Sequence, residues 1–193
     1  MTKKIIGVPG AFSTPTIFNY LQITLCDYEW ACVDYGANTD TFDQAQQFVG
    51  DFLSKEQDEF HLVGHSMGGM LALCCANNPK IASITTIASP LGGLEYSFWQ
   101  HWFNNSCLVG DLYYFSQHVK KIHNQNYTQP VQHLLTIQGY NPYMSHQNDG
   151  VISLNSQRAW HAGTVHEITS NHAEVMLNPQ TAQLLDDFWK THD

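Results

Sequence analysis

Positive charge is scarce in this chain. Only 8 Lys and Arg stand against 17 Asp and Glu, a net charge of −9 with histidine neutral, and the basic residues never gather beyond pairs such as Lys3-Lys4 and Lys120-Lys121. Phosphate backbones are bound by concentrated positive charge, so nucleic acid is not an expected partner. The 11 histidines would moderate the acidity only below about pH 6.5. Long apolar runs are missing too. The opening "MTKKIIGVPGAF" carries a basic pair, but its apolar stretch is broken by Gly7, Pro9 and Gly10, so it has neither the h-region of a secretion signal nor the length of a membrane span. It reads as the first strand of a mature cytosolic protein, with export by a signal-independent route left open. The five cysteines (Cys26, Cys32, Cys74, Cys75 and Cys107) are odd in number and lack CxxC spacing, which suits reduced, mostly buried thiols and not a disulfide framework. The histidines show neither HExxH nor HxH spacing, so neither a metal site nor any other cofactor is expected.

What remains is a chain of 193 residues, 43% hydrophobic and only 13% charged, enough for one domain with a substantial core and short for two. Short β-branched runs alternate with longer amphipathic stretches, the pattern of an α/β fold in which a parallel sheet is wrapped by helices. "KKIIGVP", "WACVDYG", "EFHLVG", "IASITTIAS", "VQHLLTIQG" and "TVHEIT" read as strands, giving a mostly parallel sheet of about six. "TPTIFNYLQITL" reads as a helix with Pro15 near its first turn. "TFDQAQQFVGDFLSKEQ" places Phe42, Ala45, Phe48, Val49 and Phe52 at helical spacings. "MGGMLALCCANN" is a helix stopping before Pro79, and "NPQTAQLLDDFWKTH" is a closing amphipathic helix.

Residues 91–130 form a less regular insert within the domain. It holds Tyr96, Phe98, Trp99, Trp102, Phe103, Tyr113, Tyr114 and Phe115. Such a segment suits a lid, a substrate wall or a surface for membrane contact, and it equally suits a cover for the sheet edge.

The chemistry centres on "FHLVGHSMGGM", residues 60–70. A serine hydroxyl is too weak an acid to attack a carbonyl unaided, so a nucleophilic Ser66 needs a base beside it and an anion site facing it. In G-x-S-x-G, glycines relieve crowding on a strained strand-to-helix turn, and Gly64 and Gly68 flank Ser66 at that spacing. The spacing alone is a weak signal, since packing glycines look the same. Its context, a buried strand before and a helix directly after, strengthens it.

"GHSMGG" resembles the nucleophile elbow of the α/β-hydrolase superfamily, in particular small bacterial lipases and esterases, in which the acid and then the histidine follow the serine. "DGVI" is similar to the lipase segment that carries the acid, which implies Asp149; Asp34, before the serine, and Asp111, in the insert, are weaker choices. "NHAEVM" is similar to the loop that carries the base at the start of the final helix, which implies His172. His65, His146, His161 and His166 are rivals with packing or surface roles. The resemblance also implies two oxyanion donors, the main-chain N–H groups of Met67 and of Ala11 in "VPGAF", with Phe12 as the fallback; Pro9 stands where the family has histidine. "IASPLGG" resembles a lipase turn and places a wall of the site near Ser89 to Gly93. Ser66, Asp149 and His172 are then expected to converge at the C-terminal ends of the strands, acting on a small-molecule ester or acyl substrate. Lipase, short-chain esterase, thioesterase and amidase are not separated by these residues, nor is a non-catalytic hydrolase-fold protein that binds a ligand or partner. The oligomeric state is not legible.

Overall fold

The structure is a computed structural model that describes residues 4–35, 39–94, 110–113 and 116–192. Six strands form one all-parallel sheet: β1 (Lys4–Val8), β2 (Glu29–Cys32), β3 (Phe60–His65), β4 (Ile81–Ile87), β5 (Val131–Thr136) and β6 (Thr164–Ile168), in spatial order β2-β1-β3-β4-β5-β6. The helices that lie wholly within the described residues are α1 (Asn19–Thr24), α2 (Phe42–Ser54), α3 (Met67–Cys74), α4 (Gln117–Asn124), α5 (Leu154–Arg158) and α6 (Pro179–Lys190). None of the described helices is long and apolar enough to cross a membrane.

Alternation along each strand explains the layering. Ile6, Val8, Phe60 and Leu62 enter the core cluster with α2, α3 and α4, while Ile5 and Val63 enter the cluster with α1 and α6. The central strands are therefore apolar on both faces and read as continuous hydrophobic runs. Helix α3 is buried along its whole length, which is why "MLALC" shows no polar stripe. Polar side chains inside the sheet meet across matched register. His61 pairs with Ser83 at 2.7 Å, and His133 with Thr86 at 2.8 Å.

The chain winds outward from β1 to the edge strand β2 and then returns past β1 to β3. Helices leaving β1 and β3 thus depart on opposite sides and leave a crevice above the C-terminal ends of those two strands. The loop that begins at Pro9 and the single-residue turn at Ser66 open into it.

Several expectations are refined. The first helix begins as a 3-10 turn, Pro15–Phe18, before α1. On α2 the buried face is Phe42, Ala45, Val49 and Leu53, and Phe48 is exposed; at 100° per residue Phe48 sits about 120° round the helix from Phe42, at the margin of the apolar stripe. Of the four described cysteines only Cys74 is buried, and Cys26 is exposed. The stretch 91–130 contains α4, whose His118, Val119 and Ile122 are buried. Most of its aromatics, together with Cys107, lie outside the described residues. Within the stretch 91–130 the Leu94 N–H donates to the Leu112 carbonyl at 2.8 Å.

Candidate active site

Ser66 sits at the junction of β3 and α3 with φ 56° and ψ −125°, a conformation costly for any residue with a side chain. Its neighbours make room for it. A Cβ on Gly64 would lie 2.3 Å from the Gly68 carbonyl carbon, and one on Gly68 would lie 2.0 Å from the Val8 carbonyl oxygen. Both glycines of the G-x-S-x-G spacing are therefore required by backbone contact, and Gly68 is what lets α3 start against the end of β1. The Ser66 N–H donates to the Ile87 carbonyl at 2.8 Å, tying the turn to β4.

Asp149 and His172 meet on the loops after β5 and β6. His172 Nδ1 lies 2.8 Å from Asp149 Oδ2. A carboxylate accepts, so Nδ1 carries the proton and Nε2 is left as an acceptor. The His172 N–H also donates to the Asp149 carbonyl, at 3.0 Å.

Asp149 is 1% exposed, and five donors hold its carboxylate. Val151 and Ile152 N–H reach Oδ1 at 2.9 and 2.6 Å; the Thr136 hydroxyl, the Gln157 amide and His172 reach Oδ2 at 2.6, 3.2 and 2.8 Å. Burial pushes its pKa up, but the bonds and charge of His172, followed by those of Ile152 and Thr136, outweigh it, so the carboxyl titrates below its ordinary value. Thr136 and Gln157 escaped the sequence reading. Thr136 ends its strand just before the loop that carries Asp149, but nothing in the sequence marks Gln157 on the short helix after that loop.

The loop "VPGAF" packs directly on the serine. A Cβ on Gly10 would fall 2.9 Å from Ser66 Cβ, and the Tyr35 hydroxyl donates to the Pro9 carbonyl at 2.7 Å. Ser13 N–H donates to the Gly10 carbonyl, closing a turn in which Phe12 has φ 57°. Among the described residues neither the Ala11 nor the Met67 N–H has a main-chain acceptor.

One cavity of about 570 Å³ is lined by Ser66, His172, Gly10, Ala11 and Met67. Its other walls include Phe12, Pro90, Leu94, Leu112, Val151 and Ile152, and its described lining contains no Asp, Glu, Lys or Arg. The wall expected near Ser89 to Gly93 is represented there by Pro90. Asp34 is exposed and absent from this lining, and Asp111 instead accepts the Phe42 N–H at 2.9 Å at the start of α2. His146 and His161 are exposed and His166, on β6, is half-buried. His65 is buried beside His172. His172 itself precedes a 3-10 turn, Glu174–Leu177, and α6 begins only at Pro179.

Solved structures with this architecture include a lipase from Bacillus licheniformis, BlEst2 in mature form, with TM-score 0.74 and 12% identity over 98% of this chain and 91% of that one. A lipase-esterase related protein from Clostridium acetobutylicum superposes with TM-score 0.68 and 14% identity, covering 99% and 94% of the two chains. The methylesterase MES16 from Arabidopsis gives 0.67 and 16%, covering 98% and 100%. Likenesses this distant in sequence speak for the fold. No curated protein matches significantly by sequence. The sequence does match the profile described as the alpha/beta hydrolase family over residues 5–188, which spans the whole sheet, the Ser66 turn and the His172 loop. The chain belongs to the alpha/beta hydrolase family.

Proposed function

We propose that the protein is a serine hydrolase of carboxylic esters, working through an acyl-enzyme on Ser66. The observation that carries this reading is the state of His172: with Nδ1–H held by Asp149, its Nε2 is an acceptor in the cavity that Ser66 also lines. In this mechanism Ser66 Oγ attacks the ester carbonyl carbon as His172 Nε2 takes its proton. The carbonyl oxygen, now anionic, is met by the N–H groups of Ala11 and Met67, the latter at the start of α3 where the helix dipole also favours negative charge. Collapse expels the alcohol, protonated by His172. Water, deprotonated in turn by His172, attacks the acyl-enzyme and returns Ser66. Asp149 stays ionised and stabilises the imidazolium in both halves.

The lining supports an uncharged substrate, since its described residues include no Asp, Glu, Lys or Arg to balance an ionised group. A lipase, a lipase-esterase related protein and a methylesterase among similar structures fit the same choice.

Hydrolysis of a p-nitrophenyl ester series from acetate to palmitate, with wild type and Ser66→Ala side by side, tests the proposal. Turnover that vanishes in the variant is the expected result, together with loss of fluorophosphonate labelling. A folded wild type that neither turns over any ester nor takes the label at Ser66 would refute it and favour a ligand-binding role for the same cavity.

A further inference from the structure

His65 precedes the serine, ends β3 and is 4% exposed. Its Nε2 lies 2.8 Å from the main-chain carbonyl oxygen of His172, and the two rings are 4.9 Å apart. A carbonyl only accepts, so Nε2 carries the hydrogen and Nδ1 is bare. That Nδ1 is buried with no partner. The arrangement is wasteful if the ring serves only to fill space, because an apolar side chain would pack there without orphaning a lone pair. It also excludes His65 as the base, since one nitrogen is committed as a donor to main chain and the other is enclosed.

We infer that His65 is a positioning residue that ties the His172 loop to the nucleophile turn, through its Nε2–H donated to the His172 carbonyl. This rests on the ester hydrolase reading above. The His172 backbone is then gripped on both sides, its N–H by the Asp149 carbonyl and its carbonyl by His65, while its ring is held by the Asp149 carboxylate. Two of these tethers set the base relative to the acid. Of these three, the one from His65 sets it relative to Ser66, whose main chain follows directly. Base and nucleophile lie 106 positions apart in sequence (172 − 66), each anchored to the sheet, and this hydrogen bond from the residue next to the serine bridges the two segments directly. Proton transfer from Ser66 depends steeply on the distance between base and nucleophile.

The test compares wild type, Ser66→Ala, His65→Leu and His65→Gln by steady-state kinetics and by the downfield NMR signal of the His172 Nδ1 proton. Loss of the tether in His65→Leu is expected to lower kcat about tenfold, the kinetic equivalent of one hydrogen bond, with KM within twofold and with faster solvent exchange of that proton. A glutamine amide N–H reaches the place of Nε2–H, so His65→Gln should recover most of kcat and the slow exchange. A His65→Leu protein that matches wild type in both readouts overturns the inference. So does a folded His65→Gln protein that has lost both, which also covers the case in which the leucine variant does not fold. Activity persisting in Ser66→Ala, or absent from wild type, defeats the hydrolase reading instead, and the proton exchange rates still decide whether His65 positions His172.

Discussion

Acid should destabilise this protein through two histidines. His65 cannot take a second proton without placing an Nδ1–H where no acceptor exists, and burial first, then the neighbouring His172, hold its pKa down to about 3. His133 donates from Nδ1 to the Thr86 hydroxyl and accepts the Ala162 N–H at Nε2, at 3.2 Å. Protonation there would set two donors face to face, and burial, with His161 adding to it, lowers its pKa to about 4. In the unfolded chain each titrates near 6.5. Both folded values are depressed, so below pH 6.5 the unfolded state binds the extra protons, and stability falls with pH until the folded values are reached. Between pH 7 and pH 5 each histidine loses about 1.4 pH units of this linkage, about 2 kcal/mol, so the pair costs about 4 kcal/mol. That is a large part of the 5–15 kcal/mol available to a domain. The lowered Asp149 carboxyl stays ionised throughout this window and contributes only at still lower pH. Urea denaturation at pH 7, 6 and 5 reads the effect directly, with His133→Gln as the partner experiment, since glutamine can accept from Ala162 without titrating. Wild-type stability changing by less than 1 kcal/mol across the series, or a His133→Gln slope equal to that of wild type, would refute the reasoning.

Other substitutions probe the site and its supports. Asp149→Asn should leave the protein folded but lower kcat by a factor on the order of 10⁴, because an amide no longer dictates which His172 nitrogen carries the proton; a loss under tenfold in the ester assay would count against the acid's role. Gly68→Ala should abolish soluble expression or cost more than about 3 kcal/mol in urea, since its Cβ meets the Val8 carbonyl oxygen at 2.0 Å. Phe12→Gly should raise stability by about 1 kcal/mol, or about 3 °C in Tm, by relieving φ 57° at a side chain that is 60% exposed. A calorimetric Tm at or below that of wild type would show that the Phe12 ring contributes more to stability than its backbone strain removes.

Much of this molecule is legible in its sequence, because the relevant signals are local. Continuous buried runs such as "FHLVG" and "IASITTI", short and rich in β-branched residues, suit central strands covered on both faces. The glycines at 64 and 68 announce a turn too crowded for side chains. The resemblance of "DGVI" and "NHAEVM" to hydrolase loops selected Asp149 and His172, and the fold brings these two within a hydrogen bond. What the sequence could not reveal are relations between distant segments. Phe48 looked like core because the margin of a helical stripe is decided by what packs against it. Thr136 and Gln157 hold the Asp149 carboxylate only because the strand, the acid loop and α5 converge. His65 looked like a bystander because the carbonyl it grips is 107 positions away. Local sterics and hydrophobic period are written into neighbouring residues and determine the elements. Hydrogen-bond partnership, burial and hence protonation state depend on which segments the sheet order brings side by side, and only the tertiary structure decides that.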